Sequence, residues 1–127
     1  MSFIDHVSLP VRDMNRAAAF YDPVMATLGL RRRKERDGAI GYGPDDVLPP
    51  IFWILHADEA RAGIGLHVSF RAKDRAQVHA FYDIGLAQGG RGAGAPGPRP
   101  HYTAGFYGAF LFDLDGYKIE AVVREAL

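Results

Sequence analysis

His6-Val7-Ser8-Leu9-Pro10-Val11-Arg12-Asp13-Met14-Asn15-Arg16-Ala17-Ala18-Ala19-Phe20-Tyr21-Asp22 recurs 61 residues further on, as His67-Val68-Ser69-Phe70-Arg71-Ala72-Lys73-Asp74-Arg75-Ala76-Gln77-Val78-His79-Ala80-Phe81-Tyr82-Asp83. Of these 17 aligned positions, 8 are identical without a gap, and Ala26 with Ala87 and Gly29 with Gly90 extend the match. Identity at that density marks an internal duplication of one structural unit.

The hydrophobic period changes within each copy. Val7, Leu9 and Val11 alternate with His6, Ser8 and Pro10, as Val68 and Phe70 alternate with His67 and Ser69. That is the period of a half-buried strand. Asp13 and Asp74 follow where a helix N-cap is wanted, since a short carboxylate accepts from the unpaired N–H groups of a first turn. Met14, Ala17, Phe20, Tyr21, Val24 and Leu28 then form one apolar helical stripe, and Val78, Phe81 and Tyr82 form its counterpart. Gly29 and Gly89-Gly90 are the expected stops, and Pro23 predicts a kink or an early break in the first helix.

Strand-like runs come next: 30–35, 39–43 and 51–56 in the first copy, then a weak strand near Gly90 followed by 106–113 and 117–123 in the second. Asp115-Gly116 between the last two is a hairpin signal, because glycine tolerates the positive φ of tight turns. The segment from Gly89 to Pro100 reads as a long loop. Each unit is therefore βαβββ, with module one over about 1–60 and module two over about 61–127 of a single α+β domain. A ferredoxin-like dimeric barrel would need βαββαβ order instead, which the three strand signals after the first helix disfavour.

Composition narrows the chemistry. The 127 residues fit one compact domain, and 15 basic against 15 acidic residues leave no electrostatic footprint for nucleic acid or an anionic membrane. Cysteine is absent, so any transition-metal site must use His, Asp, Glu or water. The N-terminus opens into Phe3-Ile4-Asp5-His6-Val7 without signal-peptide character, and no apolar run reaches the length of a membrane span, so a soluble cytoplasmic protein is expected.

Side chains alternate faces along a strand. With Val7, Leu9 and Val11 toward the helix, His6 and Ser8 point the other way; the same parity turns out His67, Ser69 and, in the final strand, Lys118, Glu120 and Val122. Two imidazoles and one carboxylate thus share a sheet face, the ligand type and count of a facial metal site with open positions. A lone strand histidine is more often a hydrogen-bonded core or surface residue, and duplication alone would copy it. Glu120 on the same face is what points to a metal.

These elements resemble the vicinal oxygen chelate superfamily, which includes glyoxalase I, bleomycin and fosfomycin resistance proteins and extradiol dioxygenases. The resemblance spans essentially the whole chain and is carried by Asp5-His6-Val7, by Leu66-His67-Val68-Ser69, and by Phe112-Asp113-Leu114-Asp115-Gly116-Tyr117-Lys118-Ile119-Glu120. The run from Gly94 to Tyr102, followed by Phe106-Tyr107-Gly108-Ala109-Phe110, is most similar to a largely uncharacterised bacterial branch. The resemblance implies a glyoxalase-like fold in which paired modules form a curved mixed sheet, and a homodimer. It also implies a divalent metal ion (Fe, Zn, Ni or Mn) on His6, His67 and Glu120 that chelates neighbouring oxygens of a small-molecule substrate. A fourth ligand, a glutamate in glyoxalase I, belongs on the last strand of the first unit, where Trp53 stands in Ile51-Phe52-Trp53-Ile54-Leu55. With no carboxylate in that strand, true glyoxalase I isomerisation is disfavoured and dioxygenase or lyase chemistry is expected, with His101, Tyr102 and Tyr107 as acid or base groups. The alternative is a non-catalytic ligand-sequestering protein of the bleomycin-resistance type.

Arg99, with His101 and Tyr102, lies in the long loop and is the candidate anion clamp, while Trp53 is either a substrate-binding pocket wall or a core residue. His56 reads as a solvent-side turn residue, and His79, on the flank of the second helical stripe, as a solvent contact. Arg31-Arg32-Arg33-Lys34 reads mainly as a solvated edge strand, with Arg32 or Lys34 as a possible substrate contact.

Overall fold

A computed structural model describes residues 3–44 and 49–126. In chain order the elements are β1 (Val7–Val11), α1 (Met14–Ala26), β2 (Arg31–Arg36), β3 (Ala39–Gly43), β4 (Phe52–His56), β5 (His67–Arg71), α2 (Arg75–Ala87), β6 (Arg91–Pro98), β7 (Phe106–Phe112) and β8 (Lys118–Arg124). The duplicated βαβββ order is complete. Each module forms its own four-stranded mixed sheet, ordered β1-β4-β3-β2 and β5-β8-β7-β6, with the first and last strands of each unit parallel and the other neighbours antiparallel.

Both helices begin as the sequence dictates. The Asp13 carboxylate accepts from the Arg16 backbone N–H at 3.1 Å, and that of Asp74 accepts from Gln77 at 2.9 Å. After the helices the chain turns through left-handed glycines, Gly29 at φ 78° and Gly89 at φ 99°. Pro23 does not end α1, which continues to Ala26. Burial of Phe20, Tyr21, Val24 and Met25 around the proline supplies what the missing N–H withholds.

The segment expected as a loop from Gly89 to Pro100 is instead largely strand. β6 spans eight residues at the sheet edge and reaches its neighbour β7 through register shifts between Gly92 and Gly94 and between Gly94 and Gly97. An edge strand with bulges tolerates Pro96 and Pro98, whose missing donors would break an interior one. The β7–β8 connection is also longer than a two-residue hairpin, running through Asp113–Tyr117 with Gly116 at φ 88°. There the Asp113 carboxylate accepts from the N–H groups of Asp115 and Tyr117 at 3.0 and 2.8 Å.

One apolar core draws on the helix-side residues of both sheets, among them Leu9, Val11, Phe52 and Ile54 of the first and Phe70, Leu111, Ile119 and Ala121 of the second. Phe52 meets Phe70 edge-on at 5.1 Å, directly joining the modules. Polar contacts reinforce the seam: the Tyr21 hydroxyl donates to buried Asp113, that of Tyr117 donates to the Pro10 carbonyl at 2.7 Å, and Arg12 pairs with Asp115 at 3.1 Å. Because the helix-side faces meet in this core, the opposite face of each sheet, carrying His6 in one and His67 in the other, is left outside it. No described helix is long and apolar enough to cross a membrane.

Candidate functional site

The open face of the second sheet gathers the chemistry. Across the parallel pair β5·β8, His67 faces Lys118 and Ser69 faces Glu120, while across β8·β7 Glu120 faces Phe110 and Lys118 faces Phe112. Residues paired in register share a face, so His67, Lys118, Glu120, Phe110 and Phe112 project together. His67 Nε2 lies 2.6 Å from Glu120 Oε1. The histidine side chain is 41% exposed and the glutamate side chain 5%, so a half-open imidazole shields a buried carboxylate. A buried carboxylate needs a strong partner, and His67 is the one it has among the described residues.

His6 occupies the matching place on the first sheet, just before β1, with its side chain 55% exposed. Its Nδ1 is 2.6 Å from the adjacent Asp5 carboxylate, which orients the ring and leaves Nε2 outward. A carboxylate behind one ring nitrogen also makes the other a better electron-pair donor. Asp5 was not singled out from sequence, although its position immediately before His6 was the available signal. Among the described residues, no three His, Asp or Glu side chains converge closely enough to hold a metal. One chain brings His67 and Glu120 together and leaves His6 elsewhere.

Trp53 is 9% exposed, paired in register with Ser8 on one side and Gly41 on the other. A side chain at Gly41 would meet the indole at 2.9 Å, so the glycine makes room for it. Arg36 stacks on the exposed side of the ring, 4.8 Å from its centroid. The tryptophan is therefore both packed into the sheet and part of the open face of module one.

The other candidates separate. Tyr102 sits against the open-face rings, 5.1 Å from Phe106 and 6.4 Å from Phe110, and His101 lies beside it at 4.5 Å. Arg99 lies over the Phe110 ring at 5.0 Å, but its guanidinium donates to the carbonyls of Ala95, Gly97 and Gly108 at 2.8, 3.0 and 2.5 Å. Those bonds fasten β6 to β7 and take up three of the five N–H donors of the guanidinium. Tyr107 does not belong to this face. In β7 it alternates with Phe106 and Gly108, so it is turned into the helix-side core, where its hydroxyl contacts His79 Nε2 at 2.6 Å. His79 itself stays exposed on the flank of the helix, as expected, and adds this one contact inward. Arg32 is engaged by Asp22 at 2.7 Å and by Glu35 at 2.9 Å on the helix side, which removes it as a free substrate contact.

The residues of this face that strand parity did not single out are Phe110 and Phe112. Lys118 had been placed on the correct face by parity, but nothing in the sequence revealed a cavity beside it. A cavity of about 340 Å³ opens there, lined by Gly63, Ile64, Leu66, His67, Phe112 and Lys118 among others.

Comparison with known proteins agrees with this fold. The sequence profile of the Glyoxalase/Bleomycin resistance protein/Dioxygenase superfamily matches residues 3–121. A probable lactoylglutathione lyase of Synechocystis sp. is 27% identical over 129 residues, covering 94% of this chain and 94% of that protein. A probable chloroplastic lactoylglutathione lyase of Arabidopsis thaliana is 30% identical over 127 residues; the chain spans 35% of its length. The crystal structure of a glyoxalase/bleomycin resistance protein from Albidiferax ferrireducens superposes with a TM-score of 0.87 at 31% identity, covering 97% of this chain and all of that one (100%). The chain belongs to the glyoxalase/bleomycin resistance protein/dioxygenase superfamily.

Proposed function

We propose that this protein is a divalent-metal-dependent enzyme acting on a small molecule with adjacent oxygens, its site made when His6 of one copy meets His67 and Glu120 of a second in a homodimer. The observation that carries the reading is the 2.6 Å contact between half-open His67 and buried Glu120 on the sheet face outside the main core. Imidazole and carboxylate are suitable donors for a divalent ion, and the Asp5–His6 pair is the outer-shell arrangement that favours a third. The donor set therefore fits such an ion. When bound, it would supply Lewis acidity, lowering the cost of negative charge developing on a substrate oxygen.

The protein's own groups do the remainder. Glu120, fixed by β8 and shielded by Phe110, holds its carboxylate in one place. His67 Nε2, 2.6 Å from that carboxylate, keeps the two donors side by side on the face. Tyr102 and His101, on the turn above Phe106 and Phe110, are the proton carriers within reach of the face. Trp53 closes the module-one side as an apolar wall, which excludes water. Because Trp53 stands where a fourth carboxylate would complete the isomerase ligand set, the reading favours a dioxygenase or lyase over isomerisation of a hemithioacetal, although relatives carry the lactoylglutathione lyase name.

Metal analysis of protein purified without a tag tests this. Near-stoichiometric metal, lost in Glu120→Ala and His67→Ala variants that remain folded, is the expected result. A folded wild type that takes up no divalent metal would sink the enzyme reading in favour of a ligand-sequestering protein, whose His67–Glu120 pair is satisfied without an ion.

A further inference from the structure

Lys118 and the cavity beside His67 carry an inference that rests on the functional reading above and specifies its substrate class. At the open-face positions of β5, β7 and β8, Glu120 is the one acid, whereas Arg71, Lys118 and Arg124 are basic. Glu120 is already engaged by His67. Arg91 and Arg99 add positive charge over Phe112 and Phe110, at 4.9 and 5.0 Å from the ring centroids. Arg99 gives three of its donors to backbone carbonyls, and Arg124 leans on Phe106 while donating to Thr103. Lys118, like Arg71 and Arg91, has no carboxylate partner among the described residues, but of the three it is the half-buried one that lines the cavity, with its ammonium over Phe110 at 4.9 Å.

Position makes that ammonium useful. Lys118 is the in-register neighbour of His67 and, like it, lines the 340 Å³ cavity. The remaining wall is glycine backbone and apolar side chains, including Ile64, 109% exposed, and Leu66, 43% exposed. Aliphatic groups left in water beside a cation lacking a counter-ion form a two-part surface: one part favours an oxyanion and the other an apolar body. We propose that this cavity binds the far end of the substrate and that Lys118 selects compounds bearing an oxyanion, carboxylate or phosphate, attached to an apolar group. The oxyanion would sit at Lys118, one strand position from His67, with the reacting oxygens toward Glu120.

Metal-free, chelator-treated protein labelled with ¹⁵N, titrated with benzoate, phenyl phosphate and the neutral benzamide, tests the assignment independently of the metal. Benzoate or phenyl phosphate should shift the amide signals of Gly63, Gly65 and Leu66 saturably, and benzamide should bind at least roughly tenfold more weakly, about 1.4 kcal/mol. The tighter of the two anions identifies carboxylate or phosphate as the preferred group. Lys118→Gln should lose the discrimination and Lys118→Arg keep it, with dispersed spectra confirming that both variants fold. Equal binding of benzamide, wild-type titration of Lys118→Gln, or no saturable shift with either anion overturns the proposal. Anion binding in a protein that never takes up metal would uphold it while overturning the metal-enzyme reading.

Discussion

Trp53 and Glu120 stand at equivalent positions of the two modules: Trp53 faces Ser8 across β4·β1, and Glu120 faces Ser69 across β8·β5. On their other sides the partners are Gly41 and Phe110. The aromatic ring has thus changed strands between the modules, from β7 in the second to β4 in the first. Duplication supplied one scaffold twice, and this exchange left a carboxylate in only one of the two places.

Restoring the carboxylate tests the meaning of that asymmetry. Trp53→Glu is expected to increase metal retention against a chelator, because the missing fourth donor is returned. It should also lower stability by about 3–5 kcal/mol, the cost typical of removing a large buried aromatic. Competitive chelation and denaturant unfolding read the two effects separately. Unchanged retention in a folded variant would show that position 53 does not face the metal.

A shared site makes a subunit-mixing prediction. His6→Ala and Glu120→Ala proteins should each bind no metal alone. After they are mixed, unfolded and refolded together, random pairing in a twofold dimer should regenerate about a quarter of the wild-type sites. A site contained within one chain would regenerate none. Metal per subunit, measured after gel filtration, distinguishes the two.

How much of this was legible in sequence follows the kind of signal involved. The 61-residue repeat, the Asp13 and Asp74 caps and strand parity fixed the modules and the shared face of His67 and Glu120, since those depend on local periodicity. β6 was hidden because Gly and Pro argue against a strand unless the strand lies at an edge, which only tertiary structure reveals. Tyr107, expected among the acid or base groups, lies on the core side because it shares parity with Ala109 and Leu111. Lys118 was visible as a residue, but the cavity that gives it a role depends on the inter-module linker.

The position of Tyr107 yields a control. Tyr107→Phe removes the contact with His79 and should cost about 1 kcal/mol of stability, in the range for one hydrogen bond. Metal content and titration with benzoate should remain those of the wild type. A selective loss of either would return Tyr107 to the site.

Two carboxylates, Asp113 at the seam between modules and Asp22 within module one, should make stability respond to pH in opposing ways. Burial pushes the Asp113 carboxyl above its usual value, outweighing the hydrogen bonds from Tyr21 and the backbone that favour its charge. The folded state therefore holds that proton more tightly than the unfolded state, so this contribution is full below the unfolded pKa and is lost as pH rises through the folded one. For Asp22, burial also pushes upward, but hydrogen bonds from Arg32 and Tyr42 and the Arg32 charge prevail and lower it. Its contribution is present above the unfolded pKa and is lost as pH falls through the folded value. Denaturant midpoints for Asp113→Asn across the acidic range should lose the first dependence and retain the second; an unchanged profile would contradict the assignment to Asp113.

The most direct test of the central claim is a crystal structure of metal-loaded protein with anomalous data at the absorption edge of the metal. The account predicts a peak bonded to His67 Nε2 and a Glu120 oxygen of one copy and to His6 Nε2 of another, with Asp5 behind that histidine and Trp53 beside the open positions. Absence of a peak at His67 and Glu120 in crystals that contain the metal in solution, or a peak held by other residues, would contradict it.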